Sequence, residues 1–334
     1  MMKKVSLLLL MLLLLVVSPL IGCSSGGATN PIGLVPKNAN VVGHVDLSKI
    51  LQDKDLTGIY DKVPKDPSYP QTFDDALAEA KDKLGIDPRD FDEIILFSDT
   101  SESTGEDSSA NFALIVKGTF NKSDLLNAIE TAAEEAGVQL DATDYKGYEI
   151  YTVADEEGTF VFLSNTMLAF GPTEWVKNVV DVEKGDAPAL SGELLDTYNK
   201  LGDALLKLAM AVPPNAGEGK LGESASQYLG DLSAFDKVES VGMTLTKNEK
   251  AVALDVKLCC ADSDSAQSIE QSINGLITLV KLLMAMSENQ QQNQALDTFL
   301  EKVEISRADS CVNINITTTL TEIEDLIQSS GQTA

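Results

Sequence analysis

Two segments 140 residues apart spell nearly the same strand and helix start, and this internal echo constrains the fold more than any other feature of the chain. Phe112-Ala-Leu-Ile-Val-Lys117 aligns with Val252-Ala-Leu-Asp-Val-Lys257, and the same offset places Ser123-Asp124 on Ser263-Asp264 and Ile129 on Ile269. Seven of eighteen ungapped positions are identical (Ala113, Leu114, Val116, Lys117, Ser123, Asp124 and Ile129), where chance gives about one or two. After an insertion the echo resumes, with Glu149-Ile150 against Glu304-Ile305 and Thr173-Glu174 against Thr321-Glu322. Two copies imply paired modules rather than a solenoid.

Each copy reads as strand, strand, helix, strand, strand, helix. In the first, Glu93–Phe97 and Asn111–Thr119 are β-rich, and a helix follows from Ser123 with Leu125, Ile129, Ala132 and Ala136 on one face until Gly137 stops it. Tyr148–Val153 and Thr159–Leu163 predict a hairpin continued by Met167–Phe170, and a closing helix starts near Thr173. In the second, Val238–Thr246 and Ala251–Cys260 are strands. A long helix from Asp264 then places Ile269, Ile273, Leu276, Val280 and Leu283 at helical spacing, before strands at Val303–Ile305 and Val312–Thr318. Val41–Leu47 is an entering strand; Leu206–Val212 reads either as its counterpart or as the end of a helix begun at Glu193. Period-2 strands with one polar face predict an α+β fold: two related modules of antiparallel sheet, each covered by helices on one face.

The chain opens with Lys3-Lys4, an apolar run from Val5 to Ile21, and Leu20-Ile-Gly-Cys23 followed by Ser24-Ser-Gly-Gly27. Basic, apolar and small-residue regions in that order are the parts of a secretory signal. A cysteine directly after the small residue resembles the lipobox of prokaryotic lipoproteins. The resemblance implies that Cys23 is lipidated, that residues 1–22 are removed, and that the protein is held at the extracytoplasmic side of the cell membrane. It partitions the chain into a leader at 1–22, a lipidated tether at 23–34, and repeats at 35–187 and 188–330. The stretch Leu34-Val-Pro-Lys-Asn-Ala-Asn-Val-Val42, continued to Leu51, resembles the opening of an uncharacterised family of membrane-anchored prokaryotic proteins. That family implies a proline-led entry into the first strand of a duplicated α+β domain, without a known activity or functional residue.

Composition narrows the chemistry. A formal charge of −27 with no basic cluster repels nucleic acid and anionic headgroups. His44 is the only histidine, and Cys23, Cys259, Cys260 and Cys311 contain no Cys-x-x-Cys, which leaves almost no ligands for zinc or haem. In an oxidising compartment an odd set of three remains after Cys23. Cys259 falls on the polar face of its strand and Cys311 on the face shared by Asn313 and Asn315, so a Cys259–Cys311 disulfide is the favoured pairing, with Cys260–Cys311 the alternative. The acidic groups Asp99, Glu102, Glu106, Asp107 and Asp87, Asp90, Asp92, Glu93 lack the order that wraps calcium. His44 sits two residues from Asp46 on one strand face, yet no matched nucleophile accompanies it. Asn121 reads as a helix cap and Trp175 as a helix anchor on the sheet.

No catalytic residue, metal ligand or cofactor is therefore nominated. The expected role is a non-enzymatic, membrane-anchored binding or scaffold protein, with no nucleic-acid partner. The rival expectation is a carrier of lipid or another apolar ligand held between sheet and helices, with the helix from Ile269 to Met286 as its lining.

Overall fold

The computed structural model describes residues 30–330 apart from 64, 67–68, 85–86, 101–111, 154–157, 213–232 and 287–296. The chain divides into two compact units, the first ending at Ser191 and the second beginning at Gly192.

Unit 1 holds seven strands: β1 (Val41–Asp46), β2 (Phe91–Ser98), β3 (Phe112–Gly118), β4 (Leu140–Tyr145), β5 (Tyr148–Val153), β6 (Thr159–Ser164) and β7 (Met167–Gly171). They lie in the order β1-β2-β3-β7-β6-β5-β4, each pair antiparallel. Its helices are α1 (Leu47–Gln52), α2 (Lys54–Lys62), α3 (Phe73–Leu84), α4 (Lys122–Ala136) and α5 (Thr173–Lys184). Unit 2 holds α6 (Glu193–Lys200), β8 (Leu206–Ala211), β9 (Val238–Asn248), β10 (Ala251–Cys260), α7 (Ser263–Met286), β11 (Val303–Ala308), β12 (Cys311–Thr319) and α8 (Leu320–Ser330). Its strands follow the order β8-β9-β10-β12-β11, again antiparallel. None of the described helices is long and apolar enough to cross a membrane.

The two strand orders are the same where the sequences echo. In each unit three strands meander, a helix leaves the third, a hairpin returns with its second strand beside the third, and a helix closes. The aligned hexapeptides are β3 and β10, and Ser123 and Ser263 stand at the starts of α4 and α7. The later echo of Glu149-Ile150 on Glu304-Ile305 does not survive: by sheet order β11 occupies the place of β6, and among the described residues the β4–β5 hairpin has no counterpart in unit 2. The polar strand β4 lacks the apolar alternation that marks the others, which is why the sequence hides it. Its turn is built by Lys146 and Gly147 at positive φ, the geometry that closes a two-residue hairpin.

Local chemistry sets the helix ends. Asn121 accepts from the Ser123 and Asp124 amides at 2.8 and 3.4 Å, and Gly137 at φ 70° ends α4 as its position predicts. Thr319 and Glu322 cap α8 reciprocally: the Glu322 carboxylate accepts from the Thr319 amide at 2.9 Å and the Thr319 hydroxyl from the Glu322 amide at 3.3 Å. Lys302 and that cap hold Glu322 at a pKa of about 2. At the entrance to unit 2 both halves of the sequence ambiguity are present. α6 stops at Lys200, Gly202 turns at φ 71°, and Leu206–Ala211 is a strand.

The fold class is α+β with antiparallel sheets, as expected, but helical cover is two-sided. In unit 1, Leu47, Leu51, Phe73, Leu77 and Leu125 from α1, α3 and α4 pack with Ile94, Val116, Phe160, Phe162 and Leu168. The opposite face carries Ile95, Ile115, Ala169 and Val161, in register across their strands, with Phe97 two residues on from Ile95, and α5 lies on it with Trp175 edge-on to Phe97 at 5.3 Å. Runs such as Ile94-Ile95, Ile115-Val116 and Phe160-Val161-Phe162 are apolar on both faces, and a sheet so built needs cover on both. In unit 2, α7 meets the face of Cys260 and Val312 while α6 meets the other.

Candidate functional site

The β-ladders of unit 2 sort its side chains into two faces. One carries Leu206 and Leu208 of β8, Met243 and Leu245 of β9, Leu254 and Val256 of β10, Ile314 and Ile316 of β12, and Val303 and Ile305 of β11, in two successive rows across five strands. On β8 and β9 the other carries Ala209, Ser240, Gly242 and Thr244, and on β10 and β12 it carries the more open Asp255, Lys257, Asn315 and Thr317. On β8 and β9 burial runs against hydrophobicity. The small and polar residues are buried, Ala209 completely, Ser240 at 6% exposure and Thr244 at 7%. None of the ten large apolar residues is fully buried; all are half-buried, Ile305 and Ile314 against the cluster that Ala266 and Ile269 enter.

Gly242 explains the closed face. A Cβ there would stand 2.8 Å from Leu201 Cδ2, with the Thr197 methyl beyond at 3.8 Å, so the bare backbone lets α6 seat directly on the sheet. The open face is bounded at both strand ends. At one end Val238, Cys260 and Val312 pack against Ala266 and Ile269 in the first turns of α7. At the other, Val252, Thr318 and Leu320 are buried where α8 begins. Between them lie the two half-buried rows; Ile269 is the last fully buried described residue of α7, Ile273 is half-buried against the same cluster, and Leu282 is 58% exposed. A sheet packed fully on an amphipathic helix buries such residues; here the two rows are only partly covered by the described residues. The rows themselves were legible only through strand register.

The cysteines follow the favoured pairing. Cys259 and Cys311 face each other directly on β10 and β12 and form a disulfide with Cα atoms 4.1 Å apart. Cys260 turns to the α7 face as a buried free thiol, and burial pushes its pKa up. Cys23 lies outside the described residues.

In unit 1, His44 and Asp46 do not act together. The Asp46 carboxylate caps α1 through the Lys49 amide at 2.9 Å and the Ser48 hydroxyl at 3.0 Å. His44 Nε2 lies instead 3.1 Å from Glu93 Oε2 on the neighbouring strand, and Lys117 Nζ donates to Glu93 Oε1 at 3.0 Å. The hydrogen bond with His44, joined by that from Lys117, holds the Glu93 carboxyl below its ordinary range despite burial. Nδ1 of His44 is buried with no hydrogen-bond partner among the described residues. Glu93 and Lys117 were invisible as partners because cross-strand register, not sequence spacing, unites them. The triad is a charge-paired element of the sheet with no nucleophile in it.

The acidic groups disperse. Asp87 pairs with Arg89, whose hydrogen bond lowers its pKa to about 2, while Asp99 accepts from the Asn40 side-chain amide at 3.1 Å. Burial raises the pKa of Asp90 and Asp92. Glu102, Glu106 and Asp107 lie outside the described residues. Among the described residues no three His, Cys, Asp or Glu side chains are grouped to hold a metal ion.

No family model matches the chain, and no curated protein matches it. Among solved structures, crystal forms I, III and IV of TP0453 align with 91% of this chain and with 98–100% of their own, at 10–11% identity and TM-scores of 0.46–0.48.

Proposed function

We propose that this protein is an exported lipoprotein, anchored through Cys23 at the extracytoplasmic side of the membrane, that binds an apolar ligand in the cleft of unit 2 without catalysing a reaction on it. The observation carrying the reading is that ten large apolar side chains in two rows are only half-buried, while Ala209, Ser240, Gly242 and Thr244 behind them on β8 and β9 are closed in. Apolar surface exposed in a row of that extent is costly unless something covers it, and ligand pockets are concave and apolar in this way. The strongly acidic surface suits a ligand that is apolar rather than anionic along the part taken up.

Solvent extraction of the purified chain followed by mass spectrometry is expected to return a reproducible lipid, and Val256→Arg, which places a charge in the cleft, is expected to release it with about tenfold weaker retention. Should that variant fold poorly, Met243→Trp fills the same space with apolar volume. A ligand-free wild-type chain that also takes up no apolar dye would sink the carrier reading and leave the scaffold role. The anchor is tested separately. Cys23→Ser is expected to leave a folded protein in the soluble fraction, and undiminished membrane association of that variant would overturn the lipoprotein assignment.

A further inference from the structure

Two stretches of the chain match the Asn-x-Ser/Thr sequence that marks an acceptor asparagine in exported proteins: Asn121-Lys-Ser123 and Asn315-Ile-Thr317. The fold treats them in opposite ways.

Asn315 is engaged by the sheet. It stands in β12, opposite Asp255 of β10 on one side and Glu304 of β11 on the other. Its Nδ2 donates to the Asp255 carboxylate at 2.6 Å, and its Oδ1 accepts from the Thr317 hydroxyl at 3.2 Å. A substituent on Nδ2 would have to displace a charge-assisted hydrogen bond in the middle of a ladder fixed from both sides.

Asn121 is presented instead. It lies between β3 and α4 on extended backbone, φ −87° and ψ 121°, and both it and Ser123 are exposed. Buried Phe120 anchors the chain just before it, and the Lys122 ammonium reaches over the Phe162 ring at 5.4 Å. The middle residue thus folds back onto the core and leaves the outer two side chains open. The carboxamide is held by its oxygen alone, since Oδ1 accepts the Ser123 and Asp124 amides while Nδ2 has no hydrogen-bond partner among the described residues. Two tasks are thereby divided between two atoms. N-linkage replaces one hydrogen of Nδ2 and leaves the capping oxygen in place.

We propose that Asn121 is an N-glycosylation site and that Asn315, despite its matching sequence, is not. The co-substrate is an oligosaccharide carried on a lipid diphosphate at the outer side of the membrane. Nδ2 bonds to the anomeric carbon of the sugar, the bond from that carbon to the phosphate oxygen breaks with its electron pair leaving on the lipid diphosphate, and Nδ2 gives up one proton. This inference rests on the export part of the proposed function and is independent of the apolar ligand.

Peptide mass spectrometry with electron-transfer fragmentation, on the full protein purified from membranes of its own source, tests it. A mass increment of at least one sugar residue is expected on Asn121, with none on Asn315. Asn121→Asp keeps the capping oxygen and removes the acceptor nitrogen. Ser123→Ala keeps the amide that the cap uses and removes the hydroxyl that the acceptor sequence requires. Both variants are expected to lose the sugar completely at an unchanged urea midpoint, while Thr317→Ala is expected to retain it. An unmodified Asn121 in a chain that has lost residues 1–22 overturns the site while export stands. A chain that keeps residues 1–22 and stays in the cytosol overturns export and the site together. Sugar on Asn315, or sugar surviving in Ser123→Ala, overturns the assignment as well.

Discussion

Adding one methyl group at Gly118 is expected to destabilise unit 1 by about 3–5 kcal/mol. A Cβ at that position would fall 2.1 Å from the Asp90 carbonyl oxygen and 2.8 Å from Phe91 Cα, both backbone atoms that cannot rotate aside. The same carbonyl accepts the Thr119 amide at 2.6 Å, and the Gly118 amide donates to Thr166 at 2.9 Å. Relief of the clash therefore pulls apart the end of the β2–β3 ladder, where the register already shifts between Phe91 and Glu93. It also unseats Phe91, which packs on Phe120 at 5.5 Å in the core beneath α1–α4. Urea unfolding followed by tryptophan fluorescence reads this unit directly, because the only tryptophan, Trp175, is buried on its other face. Gly58→Ala in the same assay should hold or raise the midpoint by the equivalent of about 0.5–1 kcal/mol, since it removes helix glycine without a clash. A Gly118→Ala loss no larger than about 1 kcal/mol would show that the strand end yields more easily than its geometry indicates.

Loss of the Cys259–Cys311 bond is expected to act on unit 2 with nearly the same force. The bond joins residues 52 apart in sequence, and loop closure of that length restricts the unfolded chain by roughly 4 kcal/mol at most, with about 2–4 kcal/mol the usual yield. It ties β10 to β12, and those strands carry four of the ten large apolar residues of the open rows. Cys259→Ala/Cys311→Ala should lower the unfolding midpoint and expose amides of 251–260 and 311–319 first in hydrogen exchange. Reduction of the native chain should do the same, with Cys260 protected in its packed position until the unit opens. An unchanged midpoint in the double variant would mean that the bond contributes nothing beyond the pairing already made by the ladder.

Much of the strand and helix content was legible because it rests on local periodicity. The hexapeptides at Phe112 and Val252 announced equivalent strands, Asn121 and Gly137 marked the ends of α4, and the out-of-phase positions of Cys259 and Cys311 placed them on one face. Elements without a periodic signal escaped: β4, with Asp141, Thr143 and Asp144 among its exposed residues, and the helices α2 and α3. Pairing across strands also escaped, since Glu93 reaches His44 and Lys117 only after β1, β2 and β3 are in register.

From its sequence alone this protein has a duplicated α+β plan, a lipobox-like start and a cysteine arrangement that favours one disulfide, because each of these is a pattern of neighbours along the chain. The tertiary structure decided which face of each sheet is closed. In unit 2 that outcome turned on Gly242, whose missing side chain lets α6 settle on the small-residue face. The large apolar rows were left half-buried, beside a helix whose last fully buried residue is Ile269. Sequence specifies which residues could line a cleft; whether one exists depends on how closely two elements approach, and that distance is set by packing between residues far apart in the chain.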